Sequence, residues 1–149
     1  MLYEKSKHYT KETLDDSVNK IKSSNGNMGG TNLLSPMKAI IEAKLINVEL
    51  PRHVFVLTDG EIENSKETCK LISEFSHQTR VHTFGFGSGV DKYLVKEMAK
   101  NGKGKYYILE DTSASNVKTK VIEALKFATK PALTNLKTKW SSNVQLENP

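Results

Sequence analysis

Cysteine occurs once in this sequence, at Cys69, tryptophan once, at Trp140, and arginine only at Arg52 and Arg80. A lone cysteine excludes an internal disulfide framework. No Asn-x-Ser/Thr triplet occurs despite many asparagines, so the usual glycosylation acceptor of secreted proteins is missing. No apolar run approaches the roughly 20 residues that cross a bilayer, and Met1-Leu2-Tyr3-Glu4-Lys5 has no apolar core of a secretory signal. These shortages predict a soluble, cytoplasmic protein that does not enter a membrane. Cys69 falls in an amphipathic segment, where it is expected to be a small packed apolar residue rather than a reactive thiol.

The scarcity of arginine also shapes the charge. The net charge of +5 comes almost wholly from lysine, and the lysines are spread over several segments. Nucleic-acid readers cluster arginine and aromatics on one face, so no nucleic-acid partner is expected. The densest group is Lys92, Lys96, Lys100, Lys103 and Lys105, whose attraction for an acidic partner would be weak and salt-sensitive. The 149 residues, 37% of them hydrophobic, are enough for one domain with a sizeable core.

Apolar spacing divides the chain into alternating elements. Leu14, Val18 and Ile21 recur at helical intervals behind Thr10, a residue suited to capping. A loop-like stretch from Ser24 to Asn32 follows, and then a second stripe of Leu34, Met37, Ile40, Ile41 and Leu45, with Pro36 in its first turn. Three strand-then-helix units come next. His53 to Leu57 is predicted to lead into a helix from about Asn64 to Gln78, Arg80 to Phe86 into one from Asp91 to Lys100, and Lys105 to Leu109 into one from about Ser115 to Thr129. Such alternation implies parallel strands joined by helical crossovers, an α/β fold. Pro131 ends the last helix, and residues 133–149 are expected to be a C-terminal extension or the start of a following module.

Val54-Phe55-Val56-Leu57-Thr58-Asp59-Gly60 concentrates the functional signal: a buried-strand pattern that stops on a carboxylate and a glycine. In open parallel sheets the ligand crevice lies beyond the carboxyl ends of the strands, which makes Asp59 a candidate site residue; the same Asp could simply cap the turn. Enzyme motifs fail at specific positions. Gly85-Phe86-Gly87-Ser88-Gly89-Val90 places Val90 where a dinucleotide loop needs glycine, and Phe86 where a nucleophile elbow needs one. His8, His53, His77 and His82 have no metal-ligand spacing. Asp59, Glu61 and Glu63 are close in sequence but have no nucleophile beside them, so no catalytic residue is assigned.

Three motifs taken together, Gly29-Gly30-Thr31-Asn32, Leu57-Thr58-Asp59-Gly60 and Thr83-Phe84-Gly85-Phe86-Gly87, resemble the von Willebrand factor A domain. Pro131-Ala132-Leu133-Thr134 followed by Trp140 resembles the exit of that domain in the group containing inter-alpha-trypsin inhibitor heavy chains and vault poly(ADP-ribose) polymerase. The resemblance runs from about Tyr9 to Trp140. It implies a doubly wound, Rossmann-like sheet and a metal-ion-dependent adhesion site, in which Thr31 and Asp59 match two of the ligands. The third part of that site, an Asp-x-Ser-x-Ser segment after the first strand, has no counterpart here; the nearest approach, Asp15-Asp16-Ser17-Val18-Asn19, falls inside the first predicted helix.

The resemblance therefore implies a partial domain over residues 1–132, with about three strands and without the family's first three. Mg²⁺ wants six oxygens in near-octahedral array, so binding of Mg²⁺, or of Mn²⁺ or Ca²⁺, is expected only if an upstream segment or a partner chain supplies the missing ligands. The expected function is a non-enzymatic protein-interaction module in which Gly30, Asn32, Gly60 and Glu61 contact the partner around Thr31 and Asp59. The alternative is a structural segment of a larger protein or assembly that binds no ligand. In either case the strand His53 to Leu57 loses a neighbour, and its edge is expected to be covered by an upstream segment, a protein partner, a second copy of the chain or the N-terminal residues folded back, the alternative being an incomplete gene product that folds poorly.

Overall fold

The computed structural model describes residues 3, 7–24, 30–45, 47–48, 50–131, 137 and 139. All but two positions of the predicted extension at 133–149 lie outside the described residues, as do Gly29 and Trp140. The chain forms two compact units, Met1–Gly30 and Thr31–Pro149.

The first unit is built on α1 (Lys11–Lys22). Thr10 caps it as its spacing predicts: the Thr13 N–H donates to Thr10 Oγ1 at 3.2 Å, and the Thr10 N–H donates to Thr13 Oγ1 at 2.8 Å. Two orphan donors are thereby satisfied. Asp16 accepts from both Tyr3 Oη at 2.6 Å and Lys20 Nζ at 2.8 Å. No residue of α1 is buried, so the stripe of Leu14, Val18 and Ile21 has no core within this unit. A helix of 12 residues draws most of its stability from an apolar face packed against something else.

The second unit runs α2 (Leu34–Glu42), β1 (Arg52–Thr58), α3 (Ser65–Glu74), β2 (Thr79–Phe86), α4 (Lys92–Asn101), β3 (Lys103–Leu109) and α5 (Ala114–Ala128). The three strands form one parallel sheet in the order β1-β2-β3. These are the parallel strands with helical crossovers that the alternating pattern predicts, and the partial, Rossmann-like α/β sheet that the family resemblance implies. Val54, Val56 and Val81 face one side and pack with Met37 and Ile41 of α2, Ile72 of α3, and Leu94 and Met98 of α4. Phe84 and Leu109 face the other side with Phe55, Phe86 and Tyr107, under Val117, Val121 and Ala124 of α5. The two faces follow directly from the period of two along β2, whose residues are nearly all buried because both faces are covered.

Among the described polar groups inside this core the Tyr107 hydroxyl is buried without a partner, and others are paired. Thr83 Oγ1 donates to the Val95 carbonyl of α4 at 2.7 Å. The Arg52 guanidinium closes the C-terminal end of α2 by donating to the carbonyls of Ile40, Ile41 and Ala43, where unsatisfied carbonyls and the helix dipole favour a cation. Cys69 is half-buried against the core, and burial pushes its thiol pKa up, with the nearby Glu97 carboxylate adding to the effect. It packs as a small apolar residue.

Candidate functional site

The site begins where β1 stops. Thr58 is buried, Asp59 points out at the strand tip, and Ile62 turns back into the core, so the intervening Gly60 and Glu61 are held in a short arch anchored at both ends. A Cβ placed on Gly60 would meet nothing within 4 Å, so no close backbone approach depends on that glycine in this chain. The arch continues to Glu63, whose N–H donates to the Thr31 carbonyl at 2.9 Å. Asn32 and Glu63 form a parallel bridge, and Asn32 Oδ1 accepts from the Ser35 N–H at 3.4 Å near the start of α2. The segment carrying Thr31 and Asn32 thus lies alongside the arch that follows Asp59. Gly30, with φ of 28°, ends the first unit.

An open hollow of about 440 Å³ lies beyond the carboxyl ends of the strands, lined by Leu57, Thr58, Asp59, Phe86, Thr112 and Val117. Thr31 is not part of its lining. The sequence reading missed Thr112, which comes from the loop between β3 and α5; the strand-end rule that singles out Asp59 applies equally to that loop and could have found it. Across β2, the turn before α4 is a structural turn, and Asp91 caps α4 by accepting from the Leu94 N–H at 2.9 Å.

One carboxylate and threonine hydroxyls do not fit a hard divalent cation. Among the described residues no three His, Cys, Asp or Glu side chains come together in a metal-holding group, and Mg²⁺ releases its water only for a fuller set of oxygens. Titration of the 149-residue chain with Mg²⁺ is expected to give no saturable heat at millimolar concentration. A saturable signal abolished by Asp59→Ala would show that this donor set suffices after all.

Parallel strands, helices on both faces, a carboxylate at the tip of β1 and a threonine segment beside it match a known pattern. The family model for the von Willebrand factor type A domain matches residues 1–108. This chain belongs to the von Willebrand factor type A domain family. A von Willebrand factor A domain-containing protein of Dictyostelium discoideum is 40% identical over 145 residues, covering 96% of this chain and 15% of the relative. The mouse von Willebrand factor A domain-containing protein 5A is 32% identical over 132 residues, covering 89% and 16%. The human protein 5B1 is 31% identical over 139 residues, covering 93% and 11%. The chain thus corresponds to a von Willebrand factor A segment within much longer proteins. No helix among the described residues is long and apolar enough to cross a membrane.

Proposed function

We propose that this von Willebrand factor A segment is a non-enzymatic protein-interaction module, of the inter-alpha-trypsin inhibitor heavy chain and vault polymerase type, that takes up an additional strand along the free edge of β1. The contrast between its two sheet edges carries this reading. The β3 edge is blunted: Val81 pairs with Lys103 but Thr83 with Tyr106, so an extra residue bulges from β3, and Lys103 and Lys105 are exposed there. Bulges and lysines are the usual protection of a terminal strand. The β1 edge has neither. Its seven residues pair with β2 in unbroken register, with no lysine, internal proline or bulge.

Among the described residues no strand pairs with that edge. The Arg52 N–H donates to the Gln78 carbonyl at 2.8 Å, which turns the backbone groups of alternate residues toward β2 and leaves those of His53, Phe55 and Leu57 facing away from it. An extended segment from an upstream part of the protein or from a partner would satisfy them by strand addition. Thr31, Asn32, Gly60, Glu61 and Asp59 would then flank the added strand at its tip. Catalysis is no part of this reading: among the described residues Asp59 is the one ionisable side chain lining the hollow, so they offer no acid and base pair there.

Without that strand the chain is expected to pair edge to edge with itself. Sedimentation should show concentration-dependent association of the 149-residue chain. Leu57→Pro removes an outward N–H from an exposed position and should weaken that association about tenfold or more. A wild-type chain that stays monomeric throughout, or a Leu57→Pro chain that associates equally well, would overturn the proposal.

A further inference from the structure

Hydrogen bonds centred on His82 link all three strands. The Lys105 backbone N–H of β3 donates to His82 Nδ1 at 3.1 Å, and His82 Nε2 of β2 lies 3.0 Å from His53 Nδ1 of β1. His82 is fully buried. The two imidazole planes lie within 9° of each other with centroids 5.3 Å apart, Phe55 stacks on His82 with centroids 5.0 Å apart, and Phe127 of α5 meets it edge-on at 5.9 Å.

Proton counting fixes the state of this relay. A backbone N–H can only donate, so His82 Nδ1 is bare and the ring proton sits on Nε2. That proton is donated to His53 Nδ1, which must be bare as well. Both links therefore exist only when both rings are neutral and carry their protons on Nε2. An added proton ends on His53 Nδ1, where it faces the His82 Nε2–H, or on His82 Nδ1, where it faces the Lys105 N–H. If His53 is protonated and His82 shifts tautomer to accept from it, His82 Nδ1–H again opposes Lys105. One link is lost in every arrangement.

Among the described residues the surroundings of His82 offer the added charge no relief. The groups acting on His82 are His53 of β1, Arg80 of β2 and Lys105 of β3, none of them acidic, and α5 contributes the Phe127 ring. Burial foremost, then these positive neighbours, brings His82 down to about 4, and burial followed by the Arg80 charge lowers His53. Both folded values lie below the ordinary 6.5, so the unfolded chain takes up protons first. The stability contributed by the neutral relay is complete above that ordinary value and is lost as the pH falls toward the folded ones.

We propose that the His53–His82–Lys105 relay is an acid-operated clasp: neutral, it ties both outer strands to β2 beside the backbone ladders, and one proton breaks one of the two ties. Its bearing on partner uptake rests on the strand-addition reading, because His53 is one of the residues whose backbone faces the free edge of β1. The clasp itself is testable apart from that reading, since Lys105 lies on the opposite edge of the sheet.

Amide hydrogen exchange of Lys105 in the 149-residue chain, corrected for the intrinsic pH dependence, is the direct measurement. Protection is expected to fall about tenfold or more between pH of about 7 and about 5 in the wild type. In His82→Asn, where the amide oxygen replaces Nδ1 as acceptor and position 82 no longer titrates, it should change less than about twofold over the same range. Equal protection at both pH values in the wild type, or an equal fall in His82→Asn, would overturn the clasp. Should the variant fail to fold, the ring nitrogen shifts of the wild type decide: Nε2–H tautomers on both rings at neutral pH support the relay, and an Nδ1–H tautomer of His82 refutes it.

Discussion

Gly104→Ala is expected to be among the most damaging single-methyl additions in this chain. A Cβ at position 104 would stand 2.0 Å from the Val81 carbonyl oxygen and 2.6 Å from its carbon. Both obstacles are backbone of the central strand, so no rotamer change can make room. Lys103, at φ of 51°, has already turned the chain into the bulge, and the Val81 N–H donates to the Gly102 carbonyl at 3.1 Å. The crossing of Gly102 to Lys105 over Val81 and His82 is therefore fixed from both sides. Accommodating the methyl would require β3 to move away from β2, which breaks the Lys105 to His82 bond as well as the ladder. The expected cost is about 3 kcal/mol or more, a fall in Tm on the order of 10 °C for a chain of this size. Gly60→Ala is the control, because open space surrounds that position, and it should stay within about 0.5 kcal/mol of the wild type. Thermal melts of the three proteins check this. Gly104→Ala melting within a few degrees of the wild type would mean that the bulge is not locked as described.

Much of this architecture is legible from side-chain period alone. The apolar run at residues 54–57 marks β1, and the alternation of Val81, Thr83 and Gly85 with His82, Phe84 and Phe86 assigns β2 to two opposed layers, as the structure shows. Element ends are less legible, because they depend on backbone bonds that apolar spacing does not encode. The spacing extends α3 to Gln78, but the helix ends at Glu74: the Gln78 and Thr79 N–H groups both turn back to the Phe75 carbonyl, at 3.0 and 2.9 Å, and start β2. β3 begins at Lys103 rather than Lys105 because the bulge carries pairing across Gly104.

The site divides in the same way. Asp59 can be read from its place at the end of an apolar strand. Thr112 lies in an unmarked polar loop, and only the parallel order of the strands brings that loop to the same hollow. The His53 and His82 contact is hidden for a further reason. The residue directly opposite His82 is Phe55, so His53 reaches it diagonally, and no one-dimensional spacing encodes a diagonal neighbour across two strands.

Phe84→Ala is the second change expected to have a large effect, and with Leu57→Ala it maps how far α5 covers its face of the sheet. Phe84 is 1% exposed, lies parallel to Tyr107 with centroids 4.9 Å apart, and touches Phe55 at 6.4 Å. Removing it empties the space between β2, β3 and α5, at a cost of about 3 to 5 kcal/mol. A domain of marginal stability has little more than that to lose. Leu57 occupies the same face but is 57% exposed, whereas Phe55, two residues earlier on β1, packs with the cluster beneath α5. Its truncation should cost the isolated chain less than about 1 kcal/mol. Denaturant unfolding of both variants measures the difference. If Leu57→Ala is as costly as Phe84→Ala, then Leu57 is already covered and β1 has no open flank. If the costs separate as expected, the sheet is a finished core from β2 to β3 and an unfinished one at β1, which is the asymmetry that strand addition requires.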